Sequence, residues 1–140
     1  MRLRPLARAD LETVRLLRNQ NREAFFDSRE ILPDQQLAWF DHLHLQPIAF
    51  YVIEEDGRVV GTVSVKEQPD GHEVGNLTLA PAYRGRGLMR SAVAQLVAAP
   101  GDYFTEVKPG NAASLRVFRA TGFREDPQGE TIVLRKRVAG

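Results

Sequence analysis

The stretch Leu77-Thr78-Leu79-Ala80-Pro81-Ala82-Tyr83-Arg84-Gly85-Arg86-Gly87-Leu88-Met89 decides how this chain is read. An apolar strand runs up to Pro81, which ends the ladder because proline has no N–H to donate. A turn holding Arg84, Gly85, Arg86 and Gly87 follows, and then Leu88, Ala92, Val93, Leu96 and Val97 recur at helical spacing. Glycine at 85 and 87 lets the backbone turn its N–H groups inward and lets a ligand approach without meeting a Cβ. The helix that opens at Gly87 or Leu88 aims its unpaired N–H groups and the positive end of its dipole at the same place. Strand, glycine turn and helix N-terminus together form an anion cradle, to which Arg84 and Arg86 add charge and bidentate donors. The expected occupant is a diphosphate.

Three other phosphate-binding patterns are tested on the same letters. An ATP-type P-loop needs Gly-Lys-Ser/Thr, whereas Gly87 is followed here by Leu88 and Met89. A dinucleotide fingerprint wants a third glycine where Arg90 stands, although Glu106 lies at about the right distance to hold a ribose. That reading, a dinucleotide-dependent oxidoreductase, is weakened and stays open. An Arg-Gly nucleic-acid tail would be repetitive and disordered, whereas this segment sits between an expected strand and an expected helix.

The letters Arg84-Gly85-Arg86-Gly87-Leu88-Met89 resemble the acyl-CoA-binding turn of the GNAT acetyltransferases, Gln/Arg-x-x-Gly-x-Gly/Ala, departing from it at Met89. The run Asn111-Ala112-Ala113-Ser114-Leu115-Arg116-Val117-Phe118-Arg119-Ala120-Thr121-Gly122-Phe123 resembles the family's second signature, Asn-x-x-Ala/Ser-Leu/Ile-x-x-Tyr-x-x-x-Gly-Phe, departing at Phe118. Both stand in the family's order and at its spacing. The resemblance implies that the strands before and after the cradle splay apart, with the pantetheine arm of acetyl-CoA between them.

At 140 residues the chain is expected to form one domain, 1–140, large enough to bury a core. Its 43% hydrophobic and 26% charged residues fit a globular protein. A net charge of +1 gives no reason to expect nucleic acid or an acidic membrane as partner, so Arg84 and Arg86 count as a local site. Cysteine is absent, which excludes disulfides, thiolate metal sites and a cysteinyl acyl-enzyme. No apolar run approaches about 18 residues, and no signal-peptide pattern opens the chain, so a cytoplasmic location is expected.

Along the chain, Leu3 to Leu6 read as a first strand, and Asp10 as the N-cap of a helix carrying Leu11, Val14 and Leu17. Phe25 and Phe26 fall in an ambiguous segment, where they pack in the core or line a pocket. Pro33 opens a second helix ending near Pro47. The alternating runs Ile48–Glu54 and Arg58–Val65, joined by Glu55-Asp56-Gly57, predict a hairpin. A turn at Gln68-Pro69-Asp70-Gly71 leads to a strand over Glu73–Leu79, and another strand covers Tyr103–Val107. A helix over 111–121 is capped by Asn111 and stopped by Gly122. Strands near Phe123 and over Thr131–Arg137 flank a turn at Asp126-Pro127-Gln128-Gly129. The order β-α-α-β-β-β-α-β-α-β-β predicts an α+β domain with one βαβ crossover. It is similar to the GNAT fold, a mixed sheet of about seven strands with four helices.

Carried over from the family, the diphosphate contacts fall on Arg84, Gly85, Arg86, Gly87, Leu88 and Met89, the last by its backbone N–H alone. The Leu79 N–H is implied as the group that polarises the thioester carbonyl. Asn111 holds the pantetheine arm or only caps its helix. Glu73, eleven residues before Arg84, matches the catalytic glutamate of the histone-acetylating branch, drawing a proton through water; its alternative is an exposed strand-end residue. Where the family has tyrosine to protonate the departing thiolate, Phe118 has no hydroxyl, so Ser114, one turn earlier, is the substitute candidate. His42 and His44 diverge on a helix and His72 lacks a partner set, so no metal is expected; His72 is a lesser rival as base.

The first two helices usually recognise the acceptor in this fold. Leu17-Arg18-Asn19, Ser28, Ile31 and Trp39-Phe40 loosely resemble acetylases of amino sugar nucleotides. Phe25, Phe26 and Trp39 are the candidate substrate contacts. The leading expectation is an acetyl-CoA-dependent N-acetyltransferase acting on a small-molecule or peptide amine by direct attack in a ternary complex, a homodimer being compatible with it. The alternative is an acyl-CoA-binding module without turnover, motivated by Phe118 and Met89.

Overall fold

A computed structural model describes residues 1–128 and 131–140. Among them the elements run β1 (Arg2–Pro5), α1 (Leu11–Gln20), α2 (Pro33–Leu43), β2 (Ile48–Glu55), β3 (Arg58–Gln68), β4 (Gly71–Leu79), α3 (Leu88–Leu96), β5 (Gly101–Val107), α4 (Ala112–Ala120), β6 (Arg124–Gln128) and β7 (Thr131–Val138). Short 3-10 turns occupy Arg8–Asp10, Arg22–Ala24 and Pro81–Tyr83. The strands form one sheet in the order β1-β2-β3-β4-β5-β7-β6, antiparallel except for the parallel pair β4–β5 that α3 bridges. This is the expected α+β order, seven strands with four helices among the described residues.

Both faces of the sheet are covered, and β2 shows why its letters are apolar on both sides. Phe50 and Val52 pack with Val14 of α1, while Ile53 joins Val63, Val74, Ala92 and Val93 in the larger core beneath α3 and α4. Successive strand residues face opposite sides, so a central strand with two covered faces carries an unbroken apolar run. Leu11, Val14 and Leu17 of α1 are buried at helical spacing. Leu115 and Phe118 of α4 do the same, and Phe118 meets Phe123 edge-on at 5.0 Å.

Two local expectations are corrected. Asp10 stands just before α1, yet its carboxylate gives the helix no capping bond. It accepts instead from the Arg4 guanidinium at 2.9 Å on each oxygen and from the Ala7 N–H at 2.8 Å. A buried carboxylate binds a fixed guanidinium fork more strongly than a frayed N–H, so the pair ties β1 to the entry of α1. Hydrogen bonding from Arg4 holds the Asp10 carboxyl below the usual range. The second correction lies at the C-terminal end. Asp126, Pro127 and Gln128 belong to β6 and pair with Val133, Ile132 and Thr131, so the strand runs through the predicted turn. Gly129 of that turn lies outside the described residues.

Candidate active site

Strand β4 pairs with β3 along its length but with β5 only at His72↔Tyr103 and Glu73↔Phe104. Beyond Glu73 the two parallel strands part. A distortion in β4 lies at the parting: Thr78 faces Thr62 and Gly75 faces Ser64, so Asn76 and Leu77 together oppose Val63. This extra residue is a β-bulge, which bends its strand and interrupts its pairing. Asn76 sits at φ 56°, a left-handed conformation that asparagine tolerates better than most residues. Its Nδ2 donates to Ser64 Oγ at 2.9 Å, and its carbonyl accepts from Thr62 Oγ1 at 2.7 Å.

A cavity of about 560 Å³ opens at this parting. Glu73 on β4, Asn111, Ser114 and Phe118 of α4, and Phe25, Phe26 and Trp39 from the N-terminal half all line it. Residues separated by as much as 93 positions in the chain are thus brought to one wall system by the crossover and the N-terminal helices. Glu73 accepts from Gln68 Nε2 at 3.1 Å, half-buried at the last paired step of β4 and β5. Asn111 does cap α4, accepting from the Ser114 N–H at 3.2 Å, while also lining the cavity. Phe118 is 1% exposed, its ring held against Phe123 where the family's usual tyrosine would stand. Trp39 packs edge-on against Phe50 at 5.2 Å.

The cradle stands outside this cavity, whose lining includes none of Arg84 to Met89. Gly85 and Gly87 adopt φ 78° and 76°, left-handed values that other residues rarely take. The Ser91 N–H bonds the Gly87 carbonyl as the first rung of α3, which leaves the N–H groups of Leu88, Met89 and Arg90 ahead of the ladder. No side chain caps this helix and no acidic residue occupies its first turn. The side chains of Leu88 and Met89 are buried in the core, so only their backbone belongs to the turn. The departure from the family's small residue at Met89 is therefore a core substitution. Arg84 donates to Asn21 Oδ1 at 3.1 Å; Arg86 donates to the Ala82 carbonyl at 3.2 Å and lies 4.7 Å from the Tyr83 ring centre.

Leu79 links the two regions. The Ala80 N–H donates to Val60 of β3 at 2.7 Å, and N–H direction alternates along a strand. The Leu79 N–H consequently points away from β3, toward the side on which β5 has departed.

Ser64, Lys66 and Asn76 line the cavity and escaped sequence reasoning; Glu106, read there only as a ribose contact, and His42, weighed only for a metal, line it too. Glycine followed by asparagine inside an apolar strand was the available signal for the bulge. The His42 ring bonds the Ala38 carbonyl through Nδ1 at 2.9 Å. His72 does have a partner: its Nδ1 meets Glu67 Oε1 at 2.7 Å, outside the cavity, so the lesser rival to Glu73 is misplaced for that role. Among the described residues, no three His, Asp or Glu side chains gather as a metal site.

A second cavity, of about 300 Å³, lies between α1, α2 and the sheet. Arg18, Ile31 and Thr62 line it, and it shares Phe25, Trp39 and Asn76 with the first.

Residues 14–123 match the model of the acetyltransferase (GNAT) family. This chain belongs to that family. The match spans both the cradle and the α4 signature, and it sets aside the dinucleotide reading of Gly85, Gly87 and Glu106. The fold agrees with solved structures across the whole chain. A ribosomal-protein-alanine N-acetyltransferase from Brucella melitensis is 21% identical with a TM-score of 0.82, covering 99% of this chain and 100% of that one. A phosphinothricin acetyltransferase from Sinorhizobium meliloti, solved with acetyl-CoA, is 16% identical with a TM-score of 0.81, covering 99% and 88%. Spermidine N-acetyltransferase from Vibrio cholerae, solved with CoA and spermine, is 20% identical with a TM-score of 0.76, covering 96% and 92%. No curated protein sequence matches the chain significantly. As a GNAT acetyltransferase the chain takes its acetyl group from acetyl-CoA. Among the described residues no helix is long and apolar enough to cross a membrane.

Proposed function

We propose that residues 1–140 form one cytoplasmic acyltransferase domain that acetylates a primary amine by direct attack within a ternary complex. The observation that carries this reading is the parting of β4 from β5 beyond Glu73, with a cavity at the parting and an uncapped helix N-terminus on the segment that follows β4. Backbone groups of β4 on that side have no β5 partner, and an extended molecule bearing amides satisfies such an edge as an added strand would. The pantetheine arm of acetyl-CoA has that chemistry, and its diphosphate suits the N–H groups of residues 88–90 with Arg84 and Arg86. Acetyl-CoA supplies the acyl group as a thioester. The Leu79 N–H is oriented to donate to the developing oxyanion.

Glu73 takes a proton through water from the acceptor's ammonium, which frees the neutral amine to attack the thioester carbonyl, and Glu73 and Glu106 together outweigh Lys66 in the same wall, which favours a cationic acceptor end. Ser114 is the hydroxyl available to protonate the leaving thiolate, since Phe118 has none. The acceptor class we favour is an amino sugar nucleotide. Of the residues that carry that resemblance, Arg18, Ile31 and Trp39 line the second cavity, beside the reaction site.

The test is thiol release from acetyl-CoA over a panel of amines: an amino sugar nucleotide, amino acids, a polyamine and a lysine peptide. Thiol release with one of them, strongest for the amino sugar nucleotide, is expected. Acetyl-CoA binding by calorimetry without thiol release from any amine would establish the non-catalytic binding module instead.

A further inference from the structure

Arg18 is placed unlike the other partly buried arginines. Arg4 meets Asp10 and Glu54, and Arg15 meets Glu12. Among the described residues Arg18 has no carboxylate within salt-bridge distance. Its Nη atoms reach only the Asp27 carbonyl at 3.2 Å and Asn76 Oδ1 at 3.5 Å, and its buried Nε has no hydrogen-bond partner. The Asp27 carboxylate is engaged by Arg29 at 2.8 and 2.9 Å, so Asp27 acts on Arg18 only at longer range. The Phe25 ring centre lies 3.4 Å from the guanidinium carbon. Burial pushes the Arg18 guanidinium down from its ordinary value. A guanidinium nevertheless stays charged at neutral pH, so this is a cation whose burial cost is offset, among the described residues, only by the distant Asp27 carboxylate and by no ion pair.

The charge lies on one side of a divided site. Arg18 lines the 300 Å³ cavity, where the other polar walls are Gln35, Gln36, Thr62, Asn76 and Thr78, with no Asp or Glu among the described residues. The adjoining 560 Å³ cavity carries Glu73 and Glu106 with Lys66. Two carboxylates against one ammonium thus line one end of the shared space, and a guanidinium with no carboxylate in its cavity lines the other.

We infer that Arg18 binds an anionic group of the acceptor, phosphate or carboxylate, so that the acceptor is dipolar, with its amine at Glu73 and its anion in the second cavity. This rests on the acetyltransferase reading above and narrows its substrate. An arginine presents a fork of donors that matches either oxyanion, and contacts of this kind are short and strong. The same charge disfavours a polyamine that reaches into the second cavity, because its second ammonium would be driven against Arg18.

The experiment compares matched acceptors on the wild-type protein: an amino sugar, its 1-phosphate and its nucleotide diphosphate, and an amino acid beside its amide. The anionic member of a pair should have kcat/KM higher by about 10-fold or more. Preference for the phosphorylated sugars assigns the anion as phosphate; preference for the amino acid over its amide assigns carboxylate. Arg18→Gln should raise KM for the anionic acceptor by about 10- to 100-fold, with kcat and acetyl-CoA affinity little changed. Arg18→Lys should recover part of the loss, and it serves as the second variant should the first fold poorly. Equal kcat/KM within each wild-type pair, or an Arg18→Gln effect of the same size on neutral and anionic amines, would overturn the inference. Calorimetry of the anionic amine with the CoA complex separates the two readings. Arg18-dependent binding without turnover sinks the acetyltransferase reading alone, and turnover without anion preference sinks this inference alone.

Discussion

Glu73 occupies the last residue at which β4 and β5 are still joined, held by Gln68 and facing the cavity that opens beyond it. That position was legible from its distance to Arg84, but its surroundings were not. Lys66 is its Cα partner on β3 only because the hairpin register makes it so, and no spacing rule links residues 66, 73 and 106. Glu73→Gln should lower kcat at neutral pH by about 10²- to 10⁴-fold, the usual contribution of a positioned base, with little change in KM. The deficit should shrink as pH approaches the acceptor's own pKa, about 10.4 for a lysine-type amine, because a free amine needs no base. A pH–rate profile of wild type and variant checks this, and an equal deficit at every pH would assign Glu73 a structural or binding role. At Phe118 the letters revealed the missing hydroxyl. The structure adds that the ring is core, packed edge-on against Phe123 and 1% exposed.

Among the elements, the glycine turn and the start of α3 were readable because each of their features is local: proline stop, left-handed glycines, helical spacing. The bulge in β4 was harder to see. Gly75-Asn76 marks it, but the register shift depends on which β3 residues stand opposite, and that is a tertiary fact. The same limit explains β6, where a Pro-Gln-Gly string suggests a turn while pairing with β7 carries the strand through residues 126–128. Among the described residues Arg84 and Arg86 are exposed, with hydrogen bonds only to Asn21 and the Ala82 carbonyl and one ring contact to Tyr83, so replacing both with Ala should leave the melting temperature nearly unchanged. Acetyl-CoA affinity should fall about tenfold or more, near 1.4 kcal/mol, and wild-type affinity should weaken as salt is raised. Calorimetry on the double variant decides it, and unchanged affinity would place the diphosphate elsewhere.

For the molecule as a whole, the sheet is organised around one interruption. Antiparallel strands β1 to β4 and β5 to β7 form two blocks joined by a single parallel seam, which closes for two residue pairs and then opens. The crossover helix α3 covers one face of that seam and turns its N-terminus toward the cradle side, while α1 and α2 bring Phe25, Phe26 and Trp39 to the acceptor side. On the proposed reading the thioester end of the acyl donor and the amine of the acceptor meet at the parting of β4 and β5, and the chain has no cysteine to hold the acyl group between two half-reactions. The direct measurement of this claim is a matrix of initial rates of thiol release, varying acetyl-CoA and the preferred amine together. The account predicts intersecting double-reciprocal lines and no thiol released without amine; parallel lines, or an amine-independent burst of thiol, would contradict it.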